Sequence, residues 1–499
     1  MASPAACGGG STLDGLPRLE VVEAAAAAAW EDFLTNRVRL AERRASGWIA
    51  PLRCLLAEPQ VPTADMPADM EALLITLADL AHIAGAARAS MPVLDLALAA
   101  YSRVPPRPAV QRMAAETLLR LRRYEEAFAA FAQIAMNEAS AVEVAPFRLL
   151  HDAECVEDAV RLGADHALLE RAAAWRAVAA HLDGAADGVA AGDALHRVRR
   201  DSLSQRLRAQ LGADYGAPLP LPPLPRGPGP TAMLRARDWG AVARQYAAER
   251  AVVIDDLLTD EALDALQAYA RHGAPFLTVR RGFLGAFPSD GATHPLLLDL
   301  ATQLAAACEP VFASHSLAHW WLFKYGEEGG GGIGIHADAA AVNVNVWLTD
   351  DHARLDGGGL VVYRHVRSMP RQSPRAAPLR ILARLLAQVP ALEQPTPAVN
   401  REFASEADEE GLRATLSARG EVRRIGYRCN RAVIFVSDQY HETEPFRFKP
   451  GYEHRRVNLT LLYGDRWSPV GTDDPVTASS DGIDVFSGAP PAAPPAAVI

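Results

Sequence analysis

Two different periods of apolar residues divide the chain. From about residue 16 to residue 211, Ala, Leu, Glu and Arg dominate, and apolar side chains recur every three or four positions. That spacing places them along one face of an α-helix, so it predicts a series of amphipathic helices. Within residues 114–134 it predicts two consecutive helices joined near Arg122 and Arg123. We therefore expect a short disordered N-terminus at residues 1–15 and an all-α domain at residues 16–212.

The second helix of that pair carries a candidate repeat signature. Residues 124–134, YEEAFAAFAQI, combine small and aromatic side chains in a way that resembles the second helix of a tetratricopeptide repeat (TPR). No regular period of about 34 residues extends over the whole region. Two interpretations stay open. One is a degenerate, TPR-like helical-repeat domain, which we favour, and the other is an irregular helical bundle without a peptide-binding groove.

A proline-rich stretch separates this region from a second pattern. Residues 216–230 read GAPLPLPPLPRGPGP, and repeated prolines impose an extended backbone, so we predict a linker at residues 213–231. Beyond it, apolar residues alternate with polar ones at every second position, which predicts β-strands. The predicted strands are WWLFKY, AVNVNVWL, GGLVVY, EVRRIGY, RAVIFVS and RRVNLTLLYG. Short strands separated by Gly, Asn and Asp turns indicate a β-sandwich or barrel, which we place at residues 232–468.

Three further segments complete this outline. Residues 252–258, VVIDDLL, predict a short strand, after which Thr259 or Asp260 opens a helix. Residues 364–420 form an insertion between two predicted strands, proline-rich first and then helical. At a barrel mouth such an insertion is either a lid or substrate loop, or a peripheral decoration. Residues 469–499 end in GAPPAAPPAAVI and predict a disordered tail.

The candidate chemistry lies in GGIGIHAD, residues 331–338. Side chains two residues apart on an extended segment point to the same side, so His336 and Asp338 can bind one metal ion. A third ligand is available at His441, just after the hydrophobic run RAVIFV. Two neutral imidazoles and one carboxylate on one side of an octahedral ion leave positions free, as in non-haem Fe(II) oxygenases.

Four motifs follow one another around these residues. They read FKYGEEGGGGIGIHAD, NVWLTDDHARLDGGGLVVY, NRAVIFVSDQYHETEPF and GYEHRRVNLTLLYG. Over residues 252–466 they resemble the 2-oxoglutarate- and Fe(II)-dependent dioxygenases, particularly their prolyl-hydroxylase-like branch. The resemblance implies a double-stranded β-helix (jelly-roll) with flanking helices, and His336, Asp338 and His441 as the metal ligands. It also implies Fe(II), 2-oxoglutarate as cosubstrate and O2, and it allows for ascorbate as a reductant.

The resemblance also implies a basic residue that anchors the far carboxylate of 2-oxoglutarate. A buried dicarboxylate needs a fixed cation, and a guanidinium offers it two parallel donors. Arg455 and Arg456 are the candidates. Strand alternation in RRVNLTLLY places Arg456 on the polar face with Asn458 and Thr460, so we choose Arg456. Further candidates for holding the cosubstrate are Tyr325, Asn343 and Asn345, with ordinary strand positions as the alternative for both asparagines.

The expected function follows from this resemblance. It implies an enzyme that couples decarboxylation of 2-oxoglutarate to succinate with hydroxylation of a substrate. We expect that substrate to be a protein or peptide side chain presented by the helical domain. Two alternatives stay open. One is a small-molecule oxygenase, and the other is a helical-repeat interaction protein whose oxygenase-like domain is inactive.

Charge and cysteine usage narrow the partners and the compartment. A net charge of -10 argues against nucleic acid as the main partner, although the arginines between Arg423 and Arg456 keep it as a minor alternative. Five widely spaced cysteines fit a reducing compartment better than a secreted disulfide framework. The sequence has no apolar, charge-free stretch of about 18 residues, and its first residues lack a secretory pattern. We expect a cytoplasmic protein without a membrane partner, with an organelle address as the alternative.

Overall fold

The structure is a computed structural model. It describes residues 18–34, 38–57, 66–138, 144–184, 200–212, 215, 232–280, 282–326, 332–338, 340–367, 406–419 and 421–465. Several predictions lie outside these residues, namely the disordered segments at 1–15 and 469–499, nearly all of the linker at 213–231, and residues 368–405 of the insertion at 364–420, which include its predicted helical stretch PLRILARLLAQVPAL.

The N-terminal region is helical, as the spacing of its apolar residues predicts. Its helices are α1 (Leu19–Leu34), α2 (Val38–Ser46), α3 (Ile49–Ala57), α4 (Ala68–Arg88), α5 (Met91–Tyr101), α6 (Pro108–Arg120), α7 (Tyr124–Glu138), α8 (Pro146–Arg161), α9 (Leu168–Gly184) and α10 (Gln205–Leu211). The predicted break near Arg122 and Arg123 is confirmed, because it falls between α6 and α7. Arg122 adopts a φ of 59°, a left-handed conformation that ends the first helix. A TPR-like repeat stays a prediction.

α4 is the longest described helix and is strongly apolar. By length and composition alone its stretch Ala68–Ala87, with a mean hydropathy of 1.4, could cross a membrane. Most of the stretch is buried, however, and Leu77, Leu80 and Ile83 are fully enclosed. α4 packs against α1, α2 and α5, so its apolar character is accounted for by its place at the centre of a helical cluster.

The C-terminal region consists of short strands and flanking helices. The strands are β1 (Ala251–Ile254), β2 (Thr278–Arg280), β3 (Phe283–Ala286), β4 (Leu317–Tyr325), β5 (Val342–Trp347), β6 (Arg354–Gly357), β7 (Leu360–Arg367), β8 (Glu421–Ile425), β9 (Ala432–Val436), β10 (Gln439–Thr443), β11 (Phe446–Phe448) and β12 (Val457–Tyr463). The helices are α11 (Trp239–Glu249), α12 (Asp260–Ala268), α13 (Pro295–Ala307), α14 (Glu309–Phe312) and α15 (Glu406–Arg419). The six strands read from the alternating pattern are confirmed as β4, β5, β7, β8, β9 and β12.

These strands form antiparallel sheets. The large sheet has the order β1-β9-β5-β12-β4-β3-β2, the small sheet has the order β10-β7-β8, and β11 pairs with β6. The predicted strand and helix after the linker are confirmed as β1 and α12. Thr259 caps α12, since its side chain accepts a hydrogen bond of 3.2 Å from the backbone N–H of Ala262.

The two faces of the large sheet pack against two different apolar cores. On β4, Trp320 and Leu322 belong to a core shared with the helices, whereas Trp321 and Phe323 belong to a second core. That second core also contains Val362 of the small sheet, so the two sheets face each other across it. Two facing antiparallel sheets are the arrangement of a jelly-roll, and the candidate site lies between them.

The helical region packs directly onto the large sheet. The ring of Phe128 on α7 stacks on Trp320, with centroids 4.4 Å apart and planes at 15°. The hydroxyl of Tyr124 accepts a hydrogen bond of 3.1 Å from the backbone N–H of Leu317, at the start of β4. These residues lie in one continuous apolar core with the sheet, so α6 and α7 support β4.

Ion pairs join α8 to the segment after α12 and to the segment before β12. Asp158, nearly inaccessible to solvent, accepts a hydrogen bond of 2.7 Å from Nη2 of Arg271 and pairs with Nε2 of His272 at 2.8 Å. Glu154 accepts a hydrogen bond from Arg455, just before β12. α8 therefore contacts the chain next to a predicted cosubstrate residue.

Candidate metal centre

Three predicted ligands come together between the sheets. His336 and His441 form an isolated antiparallel bridge, in which each backbone N–H donates to the carbonyl of the other at 2.9 and 2.8 Å. Asp338 is tied to the strand end by its N–H, which donates to the carbonyl of Ser437 at 3.1 Å. The two imidazole rings lie 4.2 Å apart between centroids, and all three side chains are buried. The main chain therefore holds the three residues close together.

Hydrogen bonds select the ring nitrogen that each histidine presents. Nδ1 of His336 lies 2.7 Å from the carbonyl oxygen of Gly334, and Nδ1 of His441 lies 2.9 Å from that of Gln439. A carbonyl oxygen only accepts, so each Nδ1 carries a proton, and in the neutral imidazole the lone pair lies on Nε2. Metal-binding histidines are commonly oriented in this way.

Both free nitrogens converge on one carboxylate. Nε2 of His336 lies 3.9 Å from Oδ1 of Asp338, and Nε2 of His441 lies 3.4 Å from Oδ2. One ligand atom from each residue can be chosen so that all three lie within 4.8 Å of one another. Within the part of the chain that the structure describes, this is the one group of three or more His, Cys, Asp or Glu side chains with such geometry.

The electrostatics of the three side chains suit a divalent cation. Burial, together with the neighbouring imidazole of His441, lowers the pKa of His336 to about 4, which keeps it neutral. Metal ligation requires a neutral imidazole. Oδ1 of Asp338 is buried without a hydrogen-bond partner among the described residues, although a buried carboxylate oxygen ordinarily has one. A metal ion with the charge and size of Fe(II) would satisfy all three groups.

Arg456 lies in the same cavity, as predicted from strand alternation. It is buried, and its guanidinium donates to Oδ1 of Asn458 and to the carbonyl of Gly358, each at 3.0 Å. The guanidinium carbon lies 4.8 Å from the ring centre of Tyr325 and 5.0 Å from that of Phe446. Among the described contacts, no carboxylate pairs with the Arg456 guanidinium. Its positive charge is therefore available to bind an anionic ligand.

The other predicted residues separate into two groups. Tyr325 and Asn345 line the cavity with Arg456 and the three candidate ligands. Asn343 is not among the residues that line the cavity, and its amide donates to the carboxylate of Asp338, so its contact with a cosubstrate stays a prediction. Arg455 points away from the cavity to Glu154, which supports the choice of Arg456 over its neighbour.

Several lining residues were not singled out by the sequence. These are Trp321, Phe323, Ile333, Trp347, Leu360 and Thr443. Trp321 and Phe323 share strand parity with Tyr325, so extending the alternation back from that tyrosine would have found them. Trp347, Leu360 and Thr443 lie on three other strands and Ile333 lies in the segment before His336, so only the folded structure shows that they meet at the cavity.

A buried chain of hydrogen bonds joins the arginine to the metal centre. Arg456 donates to Asn458, whose amide lies 3.4 Å from the hydroxyl of Thr460. Thr460 donates to Asn345 at 2.7 Å, and Asn345 donates to Asn343 at 3.2 Å. Asn343 then donates to the carboxylate of Asp338 at 2.7 Å. Polar residues on β12 and β5 thus line one wall between the two functional ends of the cavity.

Neither a protein-family model nor a curated protein sequence matches this chain. Solved structures do match about half of it. The non-haem α-ketoglutarate-dependent epimerase SnoN from nogalamycin biosynthesis is 15% identical, with a TM-score of 0.31, over 47% of this chain and 87% of that chain. A Pseudomonas putida prolyl-4-hydroxylase is 15% identical, with a TM-score of 0.28, over 46% of this chain and 100% of that chain.

A third similar structure is HygX from Streptomyces hygroscopicus with nickel and 2-oxoglutarate bound. It is 14% identical, with a TM-score of 0.29, over 47% of this chain and 89% of that chain. At these identities and scores, the function of this chain has to be inferred from the geometry of its own site.

Proposed function

We propose that this chain is an Fe(II)- and 2-oxoglutarate-dependent oxygenase that hydroxylates a protein or peptide side chain. One observation carries the proposal. The Nε2 atoms of His336 and His441 and the carboxylate of Asp338 converge in a buried space that also contains Arg456. Two neutral imidazoles and one carboxylate are the donor set of non-haem Fe(II) oxygenases.

The metal-binding residues would hold Fe(II), which supplies the O2 chemistry when bound. Gly334 and Gln439 fix the two imidazole rings through their carbonyl oxygens, and Asn343 fixes the carboxylate. Three protein side chains would hold the ion, which would leave it able to bind the cosubstrate and O2 as well.

Arg456 would bind the far carboxylate of 2-oxoglutarate. Its guanidinium is held by Asn458 and by the carbonyl of Gly358, so it is oriented before the ligand arrives. The rings of Tyr325 and Phe446 exclude water around it, which strengthens its attraction for an anion. The balanced reaction converts 2-oxoglutarate, O2 and a C–H bond into succinate, CO2 and a C–OH group.

The helical region supports the choice of a protein or peptide substrate. A groove between α8, α9 and residues 451–453 carries both charges, including Glu157, Arg161 and Arg176. A groove lined by both charged and apolar side chains suits an extended peptide, which carries both kinds of group.

The direct test measures succinate formed from 2-oxoglutarate by the full chain with Fe(II) in air. We expect His336→Ala to abolish succinate formation, because the metal loses one imidazole. The matched control is His352→Ala, since His352 is 64% exposed and should leave the rate unchanged. Equal rates in wild type and His336→Ala would refute the ligand assignment.

A second measurement addresses the substrate class. Peptides from a proteome digest and a set of small metabolites are incubated separately with the loaded enzyme, and products with one added oxygen atom are sought by mass spectrometry. Oxidised peptides would support the proposal. Turnover of metabolites alone would overturn the peptide assignment while leaving the oxygenase assignment intact.

A further inference from the structure

The segment that carries the metal ligands has an outer face as well as an inner one. His336 and His441 lie opposite each other and point into the cavity. Because side chains alternate along an extended chain, their neighbours Ile335 and Glu442 lie on the opposite face. An element that covers that outer face therefore contacts the residues directly adjacent to two metal ligands.

Helix α15, the C-terminal part of the insertion, covers this face. Leu412 and Leu416 are buried in an apolar cluster with the outward residues of the small sheet and of the metal-binding segment. Those outward residues are Ile335, Ala337, Val361, Tyr363 and Tyr440. The insertion is thus packed against the back of the metal centre at its helical end.

A charged contact joins α15 to the residue after His441. Arg413 binds Glu442 with two nitrogens, Nε at 3.1 Å from Oε1 and Nη2 at 2.7 Å from Oε2. The hydroxyl of the buried Tyr363 donates to the same carboxylate at 2.6 Å. A bidentate arginine with a third donor fixes Glu442 more closely than a single ion pair would.

A second contact joins α15 to the residue before His336. The carboxylate of Glu409 accepts a hydrogen bond of 3.2 Å from the backbone N–H of Ile335, and Arg413 binds the same carboxylate at 3.1 Å. Gly334 allows this approach, because a Cβ at that position would overlap the Glu409 carboxylate. The carbonyl of Gly334 is also the group that orients the ring of His336.

We propose that α15 is a positioning element for the metal centre, with Arg413 as its central residue. This inference rests on the proposed metal site. Arg413 joins Glu409, which holds the backbone beside His336, to Glu442, which follows His441. Metal binding and the docking of α15 are then coupled, so each stabilises the other.

A nearby ion pair offers a matched comparison. Arg424 on β8 approaches Glu444 at 3.4 Å through one nitrogen, and its side chain is 67% exposed. That pair also lies near the strand of His441, but its arginine touches neither Glu442 nor Ile335 in the described contacts. Exposed ion pairs of this kind add little to stability. Arg424→Ala therefore controls for the loss of an arginine near the site that does not contact the metal-binding segment.

The first test measures the affinity of the full chain for Co(II) by titration, following the visible spectrum of the bound ion. We expect Arg413→Ala to weaken binding by about tenfold and to change the spectrum, as losses of residues that orient metal ligands do. Arg413→Lys keeps one charge contact and should recover part of the affinity, while Arg424→Ala should bind as wild type does. Wild-type affinity and spectrum in Arg413→Ala would overturn the proposal.

The second test needs no variant. Hydrogen–deuterium exchange of the wild-type chain is measured with and without Mn(II), and we expect the metal to slow exchange in residues 406–419. Unchanged exchange there, with slower exchange around residues 333–338 and 439–443, would show that the metal binds without involving α15 and would reject the coupling. Failure of the wild-type chain to bind either metal would instead refute the proposed function.

Discussion

Asn343 donates a hydrogen bond of 2.7 Å to Oδ2 of Asp338, with both side chains buried. The two residues come from different parts of the site, because Asn343 lies on β5 and Asp338 lies in the segment before it. The bond fixes the rotation of the carboxylate, and it leaves Oδ1 free of protein donors among the described residues. Asn343 therefore orients a metal ligand.

Replacing Asn343 should weaken metal binding without removing any ligand. We expect Asn343→Ala to raise the Kd for Mn(II) by about 10- to 100-fold, the usual cost of losing a residue that orients a ligand. Asn343→Asp should have a Kd for Mn(II) that differs from those of both wild type and Asn343→Ala, because a second carboxylate adds a negative charge beside Asp338. Free Mn(II) counted by electron paramagnetic resonance gives both constants. Wild-type affinity in Asn343→Ala would contradict the role.

Arg456 and Arg455 are adjacent, but they should respond differently to the same substitution. We expect Arg456→Met to raise the KM for 2-oxoglutarate by about 10- to 100-fold, since hydrogen bonds to a charged group contribute about 1.5–3 kcal/mol. Arg455→Met should leave that KM near the wild-type value and lower the free energy of unfolding by about 1–3 kcal/mol, because the charged hydrogen bond from Arg455 to Glu154 is lost. The reverse pattern would assign the anchor to Arg455.

Seven of the strands (β1, β4, β5, β7, β8, β9 and β12) and three of the helices (α6, α7 and α12) could be predicted individually because local sequence patterns determine them. β4 shows this well, since its alternation separates Trp320, which faces the helices, from Trp321, which faces the cavity. Which face became the site could not be read from alternation alone, because both faces of this strand are apolar. The face with Trp321 became the site because the small sheet lies opposite it, and that sheet forms only in the folded chain.

The candidate ligands were accessible to sequence reasoning because His336 and Asp338 are two residues apart and His441 follows a clear strand. The residues that orient them were less accessible. The ion pair between Arg413 and Glu442 joins α15 to β10 of the small sheet, and nothing in the composition of the insertion indicates it. Contacts of this kind depend on tertiary packing, which local pattern does not encode.

Phe128 tests whether the helical region supports the large sheet. We expect Phe128→Ala to lower the free energy of unfolding by about 3–5 kcal/mol, because it leaves a cavity against Trp320 in the shared core. Phe128→Leu should cost less, since it fills part of that space. Denaturant unfolding followed by circular dichroism measures both. If Phe128→Ala cost less than about 1 kcal/mol, the packing of α7 on β4 would contribute little to stability.

Asp158 gives the same interface a predictable dependence on pH. Burial alone would raise the pKa of Asp158, but hydrogen bonds from His272 and Arg271 outweigh it and hold that pKa well below its usual value. The carboxylate therefore stabilises the fold fully above its unfolded pKa of about 3.9, and this contribution is lost as the pH falls through the lower, folded value. Asp158→Asn keeps the shape but lacks the charge. Urea unfolding of both proteins should give a stability difference that shrinks as the pH falls below about 4. A difference that grows on acidification would contradict the role of the charged pair.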